Sequence, residues 1–198
     1  MTRRTPWLAV VAWLLGSCIA THAQSTPEAP APAEAPLQGP ATSDRLLDAL
    51  KAAPTEQVAA LLEQQVMQSW LRAATPAVTL LISRGLRSLK ADEDQEAIDS
   101  FSDAITLQPG LAEVWHQRAR ARYQAGDVNG AIHDLEETIR LQPRNFAAFR
   151  TLADIAAARE DWKGAYAAWQ KVMELDPKTP DGEERLRLLK RRALGEDT

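Results

Sequence analysis

Apolar residues recur along this chain at two intervals. Within a segment they fall three or four positions apart, which places them on one face of an α-helix. Across the chain the whole pattern returns every 34 residues. Trp115 maps onto Leu81 and Phe149, Ala131 onto Ala97 and Ala165, and Leu135 onto Phe101 and Trp169. Leu141 maps onto Leu107 and Leu175, and Pro143 onto Pro109 and Pro177. Three copies therefore run as 78–111, 112–145 and 146–179. No segment alternates apolar and polar residues as a half-buried strand would, so the pattern predicts an all-α fold.

Each copy reads as two helices and a tight turn. In the second copy the first helix spans about 112–125, with Trp115, Ala119 and Arg122 on one face. Gly126 supplies a positive φ that ends it, and Asp127 caps the next helix. That second helix runs from about 128 to 141. Ala131 lets the two helices approach closely, while Leu135, Ile139 and Leu141 fill the seam. Pro143 cannot continue a helix. One such pair cannot bury its own apolar face, but three stacked pairs share a continuous core.

The flanks are helical too. Ser43 or Asp44 can cap a short helix with Leu46, Leu47 and Leu50 as its apolar face, ended by Pro54. Thr55 opens a longer helix whose apolar positions are Val58, Leu61, Leu62, Val66, Trp70 and Leu71. Thr75-Pro76 closes it and opens the first copy, because proline at a first helical position costs no hydrogen bond. Residues 43–77 thus form an N-terminal helical pair. Residues 180–198 predict a capping helix and tail, with Leu186, Leu188 and Leu189 over the last copy. Glu183, Glu184, Arg185, Arg187, Lys190, Arg191 and Arg192 face water, and the last three complement the helix dipole.

The first 23 residues follow another logic. Arg3 and Arg4 precede an apolar run from Trp7 to Leu15, too short to span a bilayer. Thr21-His22-Ala23 then offers a signal-peptide cleavage site, so the expected location is the bacterial periplasm, with cleavage after Ala23. Residues 24–42 form a Pro/Ala-rich linker with too few apolar side chains to pack, and are expected to be disordered. Cys18 is the sole cysteine, and Leu15-Gly16-Ser17 before it resembles a lipobox. A second outcome therefore stays open, in which Cys18 is acylated and the linker is a spacer from the membrane. Either way the mature chain has no cysteine pair, disulfide or thiol nucleophile.

Composition narrows the function. Hydrophobic content of 45% and charged content of 25% are ordinary for a soluble domain. The net charge of −4 becomes −6 once Arg3 and Arg4 leave with the leader. Such a balance argues against nucleic acid, which needs a basic surface to neutralise phosphates. His116 and His133 lie on different helices 17 residues apart. No H-E-x-x-H, phosphate loop, nucleophile elbow or calcium loop occurs. No catalytic set, metal site or cofactor is expected, and the chain reads as a noncatalytic one.

The repeat resembles the tetratricopeptide (TPR) family. The family's large first-helix residue falls on Leu81, Trp115 and Phe149, and its small eighth residue on Gly85, Ala119 and Ala153. Its interhelix alanine falls on Ala97, Ala131 and Ala165, and its closing proline on Pro109, Pro143 and Pro177. Arg122 departs from a common aromatic, as do Ser88 and Ala156 at its equivalents. Thr138 departs from a usual alanine, and Arg84 and Arg118 from a common leucine. These changes are expected to soften packing in the middle copy. The resemblance implies an α-solenoid whose first helices line a concave groove that holds a protein or peptide. Carried over, the groove positions are Glu113, His116, Arg120, Tyr123 and Gln124, then Ala147, Arg150, Asp154, Ala157 and Ala158. His116, Gln117, Arg120, Tyr123, Arg150 and Asp154 are the candidate partner-binding set. The lysine and asparagine clamp of the chaperone-binding subset is missing, since Ile82, Leu86, Gln117, Ala147 and Thr151 stand there. In the first copy Ile82, Leu86 and Leu89 are too apolar to stay wet, so the 55–74 helix is expected to cover them. That would leave the groove open across copies two and three. The reading is a periplasmic binding scaffold, or else a lipid-anchored structural subunit of an envelope assembly.

Overall fold

The computed structural model describes residues 40–195. The expected leader, Cys18 and the linker up to residue 39 lie outside the described residues. The described chain is helical throughout: α1 (Pro40–Lys51), α2 (Glu56–Leu71), α3 (Pro76–Lys90), α4 (Asp94–Leu107) and α5 (Ala112–Gln124). It continues with α6 (Val128–Leu141), α7 (Phe146–Ala158), α8 (Trp162–Leu175) and α9 (Gly182–Leu194). The fold is all-α, and α3–α4, α5–α6 and α7–α8 are the three repeated pairs.

The boundaries follow from local chemistry. Thr55 and Thr75 cap α2 and α3 by accepting from the amides of Val58 and Val78. Asp127 and Asp161 accept from the amides of Gly130 and Gly164. These bonds satisfy donors that a helix start leaves without an intrahelical partner. Ser43 and Asp44, expected as caps, instead lie inside α1, which opens at Pro40.

Small residues set the spacing within each pair. Ala97, Ala131 and Ala165 are fully buried. At Gly85 an added Cβ would lie 2.6 Å from the Phe101 ring, so α3 meets α4 at glycine distance. Phe101, Leu135 and Trp169, one per copy, are buried in successive clusters.

The middle copy differs from its expected packing. Arg118 donates two hydrogen bonds of 2.8 Å to Asp134, a fully buried residue of α6, while stacking 4.9 Å above the Trp115 ring. Arg122 reaches the same carboxylate at 3.0 Å. The Thr138 hydroxyl donates to the Asp134 backbone carbonyl at 2.8 Å. The departures at Arg118, Arg122 and Thr138 therefore replace apolar seam contacts with an ionic knot, because Asp134 sits between both guanidinium groups.

α9 caps α8. Leu189 is buried and Leu186 partly so, whereas Leu188, expected in the cover, is 44% exposed. Its place is taken by Arg185, which stacks 4.3 Å from the Trp169 ring and donates to Asp154. Its guanidinium lies over the indole face and meets a carboxylate at its edge. No helix among the described residues is long and apolar enough to cross a membrane.

Candidate functional site

Each first helix touches the first helix of the next copy, α3 with α5 and α5 with α7. The inner face is therefore a row of first helices, as the repeat implies. It is not empty. α2 packs against α5, and α1 against α8, so the N-terminal pair folds back onto the second and third copies.

The residues that dock α2 form one stripe. Ala59, Glu63, Val66 and Trp70 are its buried positions, spaced four, three and four apart along one helical face. Val58 and Leu61, expected on the apolar face, are instead 37% and 60% exposed. Trp70 packs on Phe146, with ring centroids 5.6 Å apart. Val66, Phe146, Ala147 and Leu175 belong to the same apolar cluster. Beside it Arg144 binds Asp48 of α1 at 2.7 Å.

At the middle of the stripe stands Glu63. Arg150 grips it with two hydrogen bonds, Nη1 to Oε2 at 3.2 Å and Nη2 to Oε1 at 2.8 Å. The paired geometry gives this contact direction as well as charge complementarity. Arg150 also donates to the Thr179 hydroxyl at 2.7 Å and lies 5.5 Å from the Phe146 ring centroid. Asp176, fully buried at the end of α8, approaches Arg150 to 3.7 Å. One guanidinium thus faces two carboxylates. Burial opposes ionisation of Glu63, but hydrogen bonds from Arg150 and Thr179 and the Arg150 charge outweigh it and hold its carboxyl below the usual range. Burial, reinforced by the neighbouring Glu63 carboxylate, pushes Asp176 up to about 7. The pair divides its roles: Glu63 is the anion that Arg150 binds, and Asp176 keeps a proton into neutral solution.

The other candidate residues surround this clasp unequally. His116 is buried, its Nε2 3.1 Å from the Thr151 hydroxyl. Gln117 is buried and bonds Glu113 on its own helix. Arg120 is exposed and donates to Gln117 at 2.8 Å. Tyr123 packs against the cluster shared by α5, α6 and α7. Asp154 faces Arg185 of α9 and not Arg150. Among these six, Arg150 alone carries a bond to α2, and Arg120 alone is a cation open to solvent.

Two expectations about the groove change. The first-copy residues Ile82 and Leu89 are buried, in a cluster joined by Leu71 at the end of α2 and by Ala74. The rest of α2, however, runs onto copies two and three. The groove is therefore not open at Arg150, because Glu63, Val66 and Trp70 occupy it. Glu63, Asp176 and Thr179 were missed. The signal was present in the stripe Ala59-Glu63-Val66-Trp70, where an acid interrupts an apolar face.

No family-wide sequence profile matches the chain. It is 23% identical over 155 residues to a TPR repeat-containing protein of Rhizobium etli, covering 78% of this chain and 76% of that one. In three dimensions it is similar to the Sgt2 TPR domain of Aspergillus fumigatus, with a TM-score of 0.57 and 25% identity, over 63% of this chain and 83% of that one. It is also similar to the first TPR of Spaghetti (RPAP3), solved bound to the HSP90 peptide SRMEEVD. That likeness has a TM-score of 0.57 and 20% identity, over 62% of this chain and 98% of the other. The 34-residue period, the stacked helix pairs and these likenesses consistently indicate a tetratricopeptide repeat protein.

Proposed function

We propose that this protein is a noncatalytic adaptor that holds a segment of another protein on the inner face of its repeats. One observation carries the reading: the inner face already accommodates a helix, α2, gripped at Glu63 by Arg150. A row of first helices with an arginine at its centre suits an apolar segment that carries an acid. The peptide-bound Spaghetti domain supports peptide capture on this fold. Its particular ligand is not carried over, since Gln117, Ala147 and Thr151 replace the clamp residues that the chaperone-binding subset uses.

The proposed place of action is the periplasm, on the strength of the leader-like sequence pattern of residues 1–23. Photo-crosslinking in the native host tests the site. A benzoylphenylalanine at Arg120, exposed on the inner helix α5, is compared with one at Glu136, exposed on α6. A protein captured from position 120 and absent from position 136 is the expected result. Capture from position 136 alone moves function off the inner face and sinks this reading.

A further inference from the structure

We propose that α2 is a resident ligand of the inner face, and that the partner is an amphipathic helix of the same chemistry which displaces it. The inference rests on the inner-face reading above and adds to it the class of ligand and the state of the free protein.

Three observations lead there. First, α2 meets the repeats as a ligand would. Its buried stripe is short, Ala59, Glu63, Val66 and Trp70, and its opposite face keeps Leu61 60% exposed. Helix-in-groove recognition uses this spacing, with a few anchors on one face. Second, the attachment of α2 itself has one polar centre. Arg150 and Thr179 bind Glu63, and both come from the third copy, more than 80 residues away in sequence. Third, the repeats have their own apolar clusters. Those built on Phe101, on Leu135 and on Trp169 contain no buried residue from α1 or α2. The N-terminal pair has a separate cluster, which borrows Phe146, Ala147 and Leu175 from the third copy. Releasing the pair exposes that borrowed surface and leaves the three seams within the repeats in place.

The vacated site prescribes its ligand. Arg150 demands a carboxylate, and the buried Asp176 carboxyl, whose oxygens have no hydrogen-bond partner, stands on its other side. Phe146 with Leu175 receives a branched aliphatic residue one turn on and an aromatic residue two turns on, as Val66 and Trp70 do now. The partner is therefore a helix with glutamate, valine or a like residue, and tryptophan or a like residue at positions i, i+3 and i+7. A basic helix is excluded by Arg150. An unanchored acidic tail lacks the apolar residues that fill the cluster.

The experiment uses the full-length chain and a fluorescent synthetic peptide with the sequence of residues 55–72, followed by fluorescence anisotropy. Parent protein is compared with a Glu63→Arg/Val66→Asp variant, in which α2 is repelled from Arg150 and from the apolar cluster. The expected result is at least tenfold tighter peptide binding by the variant. That gain is lost when Arg150→Glu is added, or when the peptide carries arginine in place of glutamate. Circular dichroism and a single cooperative urea transition confirm that the repeats remain folded. Hydrogen exchange on the parent gives a second reading that needs no substitution. Amides of α1 and α2 should exchange at least tenfold faster than those of α5 and α7, and faster still with saturating peptide. A folded variant that binds no peptide overturns the proposal. So does an α2 that exchanges only with global unfolding, which makes the hairpin a fixed part of the core. In either case a cellular partner crosslinked from Arg120 leaves the adaptor reading standing, because the two outcomes are scored separately.

Discussion

Positions 92, 126 and 160 are equivalent in the three copies, and all three have positive φ: 58° at Asp92, 84° at Gly126 and 59° at Glu160. The turn after each first helix demands this geometry, yet only the middle copy meets it with glycine. Glutamate lacks the short side chain whose local hydrogen bonding lets aspartate visit the left-handed region; Asp92 also accepts from Gln124 of the next copy at 2.9 Å. Glu160→Gly is expected to stabilise the fold by about 1 kcal/mol, since relief of the left-handed strain exceeds the glycine entropy cost. A rise in the urea midpoint without a change in slope checks it. Gly85 answers to the opposite demand. A methyl there would meet the Phe101 ring, so Gly85→Ala should destabilise by about 1–3 kcal/mol in the same assay. A midpoint unchanged from the parent would show that α3 and α4 can separate freely. Both positions were legible from the repeat register. The ionic knot at Asp134 was not, because a register names a position and not the partner its side chain will choose.

At the scale of the element, α2 shows why apolar spacing alone misassigns a face. Leu61 and Val66 both suit a buried stripe, but only one stripe can meet α7. The selected face contains Glu63, because Arg150 offsets the burial of its charge. This contact makes α2 docking depend on pH. Around Asp176 stand Glu63 from α2, Arg150 from α7, and Lys178 and Thr179 from the turn before α9. Asp176 is raised from 3.8 to about 7, so the folded chain keeps a proton that the unfolded chain releases. Its stabilisation is complete below about 3.8 and is lost as pH rises through about 7. Glu63 is lowered from 4.5, so its contribution is present above 4.5 and lost as pH falls through the folded value. The parent's advantage over Asp176→Asn in urea should therefore shrink from pH 5, inside that window, to pH 8, about a unit above its upper end. Asparagine supplies a donor at every pH, so the variant's own decline over that range should be smaller. Equal slopes for both proteins would rule out Asp176 as the titrating group.

At the scale of the whole molecule, the expected export of the chain has its own check. Mass spectrometry of the protein purified from its native envelope should give a mature chain beginning at Gln24. An acylated species beginning at Cys18 would select the anchored alternative, with the Pro/Ala-rich linker as its spacer from the membrane. For the described residues, the repeat by itself determined the three helix pairs, their small contact residues and their turns. Those features depend on residues near in sequence and on a unit that recurs, so the period records them directly. Only the tertiary structure decided that α1 and α2 return to the third copy, that Glu63 is buried and that Arg150 is already engaged. These contacts join residues far apart in the chain, 87 positions for Glu63 and Arg150. They belong to no repeating unit, and their partners are chosen by which surfaces remain uncovered once the repeats have stacked.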